Sequence, residues 1–345
     1  MKLQELYKRQ TEEQQETIAH LRARADEAES QIKHLQEKLG SERELASLIA
    51  TSVKAAKPFP EFKTIGRKKS SGEVAAVFLR SDWHIGEVIQ PNEVEGFNGY
   101  DWATAQQRLF QIQNDELKWA ISQRNAYNLN HAIVICIGDY ISGDIHYELQ
   151  ATNEFPVPVQ TARAGLLLGE YLRRLAPHFE TVTVYEVGAD NHGRLTKKPQ
   201  CKQKASNSFS FLVHTIANTY CSGIKNIMPI ESAGAKMLVE VANHRFLVEH
   251  GDAVRGGFAG IPYYGFNRAL GREALRRMRK QGFDFWVIGH WHVPSYIESR
   301  VIVNGSLSGT SEYDHIAGRF ASPAQVAFLC HPKHGIFNLT AFKSE

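Results

Sequence analysis

Long apolar, β-branched runs that stop abruptly at acidic, histidine or amide side chains constrain this chain more than any other feature. VAAVFLRSD ends at Asp82, HAIVICIGD ends at Asp139, and TVTVYEVG, HRFLVEHG and DFWVIGH stop in the same manner. Runs that are apolar without alternation read as strands buried on both faces. Between them, helical periodicity covers residues 100–124, 162–175 (ended by Pro177), 207–220 and 267–280. Strand–helix alternation predicts an α/β core. The later runs RVIVNG, QVAFLC and GIFNLT are more closely spaced, which predicts two sheets rather than one uniform parallel sheet.

Five polar segments carry the chemistry, and all but one directly follow such a run: Ser81–Glu87, Gly138–Asp144, Gly188–Arg194, Glu249–Asp252 and Gly289–His292. Asp82 and His84 stand two residues apart at a strand end. An extended backbone alternates faces with a period of two, so both can face one centre. A carboxylate at Asp139 can bridge two cations, Asn191 offers an amide oxygen, and His250, His290 and His292 offer imidazole nitrogens. Mixed nitrogen and oxygen donors suit Mn, Fe, Zn, Ni or Co better than Ca or Mg alone. Two such cations about 4 Å apart can hold phosphate oxygens, turn a bridging water into hydroxide and absorb charge on the transferring phosphoryl group. Taken singly, a GD pair or a histidine is an ordinary turn or surface feature; the ordered set has little structural explanation. Trp83 either walls the site or stacks into the core.

Residues 1–55 differ from the rest. Tyr7, Thr11, Gln14, Ile18, Leu21, Ala25, Ala28, Ile32, Leu35 and Leu39 follow alternating three- and four-residue steps, the a/d seam of a heptad pattern. An isolated polar helix is marginal in water, so a coiled coil between subunits, and with it a homo-oligomer, is expected; the alternative is a single helix lying on its own domain or fraying in solution. Residues 56–73 form a basic linker in which Pro58 and Pro60 stop any helix. Residues 74–345 form the main domain. The formal net charge of +3 permits a polyanionic partner without demanding one. The four cysteines have no paired spacing, and Cys136 and Cys330 lie in apolar runs as buried thiols. The N-terminal MKLQELYKRQ lacks an apolar signal core and no stretch approaches membrane-spanning length. A cytoplasmic protein of a bacterial or phage-infected cell is expected.

The order D-x-H, GD, N-H, H and G-H-x-H resembles the calcineurin-like metallophosphoesterase superfamily over residues 74 to the C-terminus. The resemblance implies a four-layer αββα sandwich of two mixed β-sheets with helices outside, preceded here by the helical extension. It implies two divalent ions, Mn²⁺ first. Asp82, His84, Asp139 and His292 would hold one; Asp139 would bridge to a second completed by Asn191, His250 and His290. His192 would stand near the scissile phosphate as a catalytic group. The third motif departs from the family's G-N-H-D/E: no acid follows His192, and Asp190 or Asp144 would have to orient it.

The substrate must be chosen by loops. Arg194 is either a phosphate clamp or a salt-bridge partner of a loop carboxylate. Lys197, Lys198, Lys202 and Lys204 follow it, and Tyr263 and Tyr264 could stack a base or order a loop. With Arg272, Arg276, Arg277, Arg279 and Lys280, these favour an extended polyanion, hence a DNA nuclease similar to DNA-repair exonuclease subunits and phage-type phosphoesterases. The alternatives are a protein or small-molecule phosphatase or nucleotide phosphodiesterase, and a weakly active metal-binding scaffold.

Overall fold

The computed structural model describes residues 73–255, 262–278 and 282–344, with Arg24, Asp26 and Ser30. The chain divides into two compact units, Met1–Lys57 and Pro58–Glu345. In the first, Arg24, Asp26 and Ser30 are helical and exposed. The heptad seam and the basic linker lie outside the described residues.

In the second unit the apolar runs become two mixed sheets. β1 (Glu73–Arg80), β2 (Asn128–Cys136), β3 (Thr181–Glu186) and β4 (Ile227–Glu231) run parallel. β10 (Ala324–His331) and β11 (Gly335–Lys343) close the other side antiparallel, giving the order β11-β10-β1-β2-β3-β4. The second sheet has the order β5-β6-β7-β9-β8, from β5 (Lys236–Val241), β6 (His244–Glu249), β7 (Phe285–Ile288), β8 (Ser295–Ile297) and β9 (Val301–Val303). Period-two alternation sends Ala75, Val77 and Leu79 toward the second sheet, where they pack with Val239, Phe246, Val248, Val287 and Ile302. The intervening Ala76 and Phe78 pack on the helical side of the first sheet.

That outer layer is built from α1 (Trp102–Gln123), α3 (Val157–Leu175) and α4 (Phe209–Tyr220). Leu109, Ile112, Leu168, Leu172, Val213 and Ala217 supply its buried stripe. On the far side, Phe266, Ala269 and Leu270 of α5 (Tyr263–Met278) cover Leu247, Trp286 and Ile288. The four layers are therefore helices, sheet, sheet, helix. Two short helices, α2 (Tyr147–Thr152) and α6 (Glu312–Ile316), belong to neither layer.

Local chemistry explains the boundaries. Asp101 and Ser208 cap α1 and α4 through their side chains. α3 begins five residues before the expected start, because Pro158 sits in its first turn, where no helical N–H is needed. β4 contains Pro229 at a sheet edge, a placement that hides it from hydropathy reading. Among the described residues, no helix is long and apolar enough to cross a membrane. Cys136, Cys221 and Cys330 are buried and free, and Cys201 is exposed.

Candidate metal centre

The expected ligands converge where β1, β2, β3, β6 and β7 end. Asp82, His84 and His292 have donor atoms within 4.8 Å of one another, as do Asp139, His250 and His290, and also His84, Asp139 and His192. Asn191 joins through its Oδ1, 3.0 Å from His250 Nε2. Asp139 belongs to two of the three groups, the placement a bridging carboxylate needs.

Strand alternation is not what aims these side chains. β1 stops at Arg80 and β7 at Ile288. Beyond them Asp82 (φ 55°), His84 (φ 49°), His290 (φ 67°) and His292 (φ 59°) are left-handed, and so is Asp139 (φ 51°) after β2. Left-handed backbone is uncommon outside glycine and tolerated best by Asn, Asp and His. Asp82 N and Trp83 N donate to the Gly138 and Asp139 carbonyls, so the two turns hold each other. Gly138 has φ 94°, and a Cβ there would lie 2.7 Å from Asp190. The two-residue spacing therefore brings these side chains together through paired left-handed turns, not through the strand alternation expected from the sequence.

The donor chemistry fits divalent cations. His250 Nδ1 donates to the Ile137 carbonyl at 2.9 Å, so Nε2 is left with a lone pair. Facing that lone pair are Asn191 Oδ1 at 3.0 Å and Asp139 Oδ2 at 2.9 Å. Asp139 Oδ2 is buried and accepts no hydrogen bond among the described residues. Likewise His84 Nε2 and His292 Nε2 face each other at 3.1 Å, with Asp82 Oδ1 3.6 Å from His292. Electron-rich atoms packed this closely need a cation or a proton among them, and first-row divalent ions suit the mixed donors.

Electrostatics agrees. Burial pushes the His250 imidazole down, but the Asp139 carboxylate outweighs it and raises His250 to about 10. Burial also opposes protonation of His292, which Asp314 and then Asp82 raise to about 9. His290, by contrast, is held down to about 3 by burial and by His250. Burial pushes Asp139 up, yet His250 and His192 hold it well below the usual carboxylate range. The carboxylates draw positive charge to the cluster; protons supply it without metal, and ligation would release them.

What orients His192 is a backbone carbonyl. His192 Nδ1 donates to Ser142 O at 2.7 Å, and His192 N donates to Asp139 Oδ1 at 2.9 Å. Asp190 serves the loops instead. It accepts from Asp139 N at 2.8 Å, Gly193 N at 2.9 Å and the Ser210 hydroxyl. Asp144 is exposed and its carbonyl accepts from Gln150. Trp83 resolves to the core: it is fully buried and edge-on to Tyr140, with ring centroids 5.0 Å apart.

A cavity of about 860 Å³ opens over the cluster, lined by Val88, Leu149, Tyr313 and Ile316 as well as Glu87, Glu148 and Glu312. Trp291, packed on His290, also lines it; its place between two histidines in GHWH was the available signal. Arg194, Lys197, Lys198, Lys202, Lys204, Tyr263 and Tyr264 do not line this cavity. Arg194 donates instead to the carbonyls of Thr196 and Asn191 at 3.0 Å. Lys204 pairs with Asp252 at 2.6 Å, and Tyr263 and Tyr264 are exposed on α5. The side chains of Arg276, Arg277, Arg279 and Lys280 lie outside the described residues.

No family model and no curated relative matches the chain. Similar solved structures include an uncharacterised protein of Streptococcus pneumoniae described as a predicted phosphoesterase (14% identity, 52% of this chain and 91% of that one, TM-score 0.25). Others are vacuolar protein sorting 29 from Cryptosporidium parvum (13%, 79% and 100%, 0.32) and a single-residue variant of that protein from Entamoeba histolytica (11%, 78% and 99%, 0.28). Likenesses this distant carry no argument about activity. The structure itself is an αββα sandwich, two mixed sheets packed between helices, with the ordered Asp, His and Asn set borne at its strand ends.

Proposed function

We infer that the chain is a metal-dependent phosphoester hydrolase. The observation that carries this is the packing of mutually repelling lone pairs, from Asp139, Asn191 and His250 on one side and His84, His292 and Asp82 on the other, at the floor of an open cavity. Asp82, His84, Asp139 and His292 would hold one divalent ion, and Asp139, Asn191, His250 and His290 a second. When bound, such ions polarise phosphoryl oxygens and acidify water.

The chain's own groups do the rest. His250 Nδ1 and His292 Nδ1 are tied to acceptors, which leaves their Nε2 atoms as the ones that would serve as ligands. His192, held through Nδ1 by the Ser142 carbonyl, lines the cavity, and its Nε2 is the ring nitrogen left to face the ester oxygens. Val88, Leu149, Tyr313 and Ile316 give the cavity an apolar wall.

Cavities of about 300–1,000 Å³ take small-molecule ligands, and the wall carries Glu87, Glu148 and Glu312 rather than lysines. This favours a compact phosphomonoester or phosphodiester. A DNA nuclease is the second reading, favoured by exposed Lys197, Lys198 and Lys202 within ten residues of His192 in the chain. The test is one panel with Mn²⁺ and with EDTA: an aryl phosphomonoester, an aryl phosphodiester, a phosphopeptide, and single- and double-stranded DNA. Mn²⁺-dependent turnover lost in His84→Ala and Asp139→Ala is expected. Mn²⁺ binding with no turnover of any of them would leave the scaffold reading.

A further inference from the structure

The outer support of His292 comes from a segment that no sequence motif marks. His292 Nδ1 lies 3.1 Å from Asp314 Oδ2. Asp314 sits on α6, a helix of five residues, too short to hold its shape alone. Its shape is imposed instead. Ser311 and Asp314 form a capping box, and Arg319 pairs with Asp314 Oδ1 at 2.7 Å. Upstream, Asn98 donates to the Ser308 and Thr310 carbonyls at 2.8 Å, and Arg108 donates to Ser308 O at 2.9 Å. The Asp314 carboxylate is thus buried, 2% exposed, and gripped from several directions. The gripped atom meets the one imidazole nitrogen that must not be left to choose its tautomer.

We propose that Asp314 is the positioning residue for the Asp82–His84–His292 cation site, holding His292 with its proton on Nδ1 and its lone pair on Nε2. This rests on the phosphoesterase reading only in requiring that a cation binds. A carboxylate behind a ligating imidazole fixes ring orientation and raises ligand basicity, and losing it costs about 10–100-fold in metal affinity. Because Asp139, Asn191, His250 and His290 do not touch Asp314, the loss should fall on one of the two ions. Tyr313 and Ile316 of the same helix line the cavity, so α6 supports the ligand and walls the substrate space together.

The experiment is titration of the full-length, metal-free chain with Mn²⁺ by calorimetry, with Co²⁺ absorption as the spectroscopic readout. Wild type should bind two ions. Asp314→Ala should weaken one by about 10–100-fold, leave the other within about threefold, and perturb one set of Co²⁺ bands. Asp314→Asn, which keeps the shape and one neutral acceptor, should fall between them, which guards against simple unfolding. Ser311→Ala removes one of the donors that hold Asp314 but keeps the carboxylate and its Arg319 partner, and should weaken the same ion by less than Asp314→Asn does. Two unaltered sites in Asp314→Ala and Asp314→Asn would overturn the proposal alone, as would a Ser311→Ala loss equal to that of Asp314→Ala. A wild type that binds neither ion would remove the phosphoesterase reading with it.

Discussion

Asp190 is the strongest point at which to test how the centre is assembled, because it touches no expected cation ligand through a donor atom. Its carboxylate instead accepts the backbone N–H of Asp139 at 2.8 Å and of Gly193 at 2.9 Å, with Ser208 and Ser210 hydroxyls alongside. Asp190→Ala would leave those two buried amides unpaired. At about 1–3 kcal/mol for each buried donor left unsatisfied, the cost is about 4 kcal/mol. At about 2–4 °C per kcal/mol for domains approaching this size, thermal unfolding should fall by roughly 10 °C. The same bonds fix the peptides on either side of Asp139 and His192, where a misplacement near 1 Å can cost about 100-fold in rate. Turnover of an aryl phosphoester should therefore drop by that order even at temperatures where the variant is folded. Asp190→Asn retains one acceptor but turns its amide on the other N–H, so it should recover only part of each loss. Calorimetric scans with single-turnover kinetics at 20 °C measure both. An Asp190→Ala chain within about 2 °C and twofold of wild type would refute the claim that this carboxylate ties the two loops.

Burial, opposed by the Asn218 hydrogen bond and reinforced by Glu231, lifts the Glu186 carboxyl to about 7. The folded state thus holds this proton more tightly than the unfolded chain, so its stabilising contribution is complete below pH 4.5 and lost as pH rises through 7. Glu186→Gln should match wild type at pH 4 and exceed it by up to about 3 kcal/mol at pH 8 in chemical denaturation; parallel curves would exclude this. Arg194→Ala should change KM by less than about twofold while lowering kcat, since its guanidinium braces the Asn191 carbonyl; a tenfold rise in KM would restore it as a phosphate clamp. Free Mn²⁺ at 100-fold over its Kd should stabilise the chain by about 2.7 kcal/mol for each site filled, seen as a higher unfolding temperature that EDTA reverses and Asp139→Ala lacks.

The layered fold was legible because burial on both faces leaves a continuous apolar record, as in VAAVFLR and HAIVICI. The elements that escaped are those whose stability is borrowed. β4 carries Pro229 and is mostly exposed, and α6 is held by Arg319 and a capping box rather than by an apolar stripe. Basic residues are harder to read for a related reason. Charge in sequence says nothing about direction, and the Arg194 guanidinium turns to its own loop while Lys204 turns to Asp252.

The site itself divides along the same line. The proposed ligands Asp82, His84, Asp139, His250, His290 and His292 could be picked out as candidates because a cation centre needs those donor types, whatever backbone presents them. Their supports could not, because any acceptor will do: Ser142 O behind His192, Ile137 O behind His250 and Asp314 behind His292. Two of these are carbonyls that every residue possesses. Five of the expected ligands sit on left-handed backbone, a conformation costing of order 1–3 kcal/mol where no glycine relieves it. Such strain persists only where neighbours over-determine it, and here the Gly138, Asp139 and Asp190 hydrogen bonds do so. Donor identity is therefore written in the sequence, whereas donor direction is written in the contacts between turns, and the second decides whether the first can bind an ion.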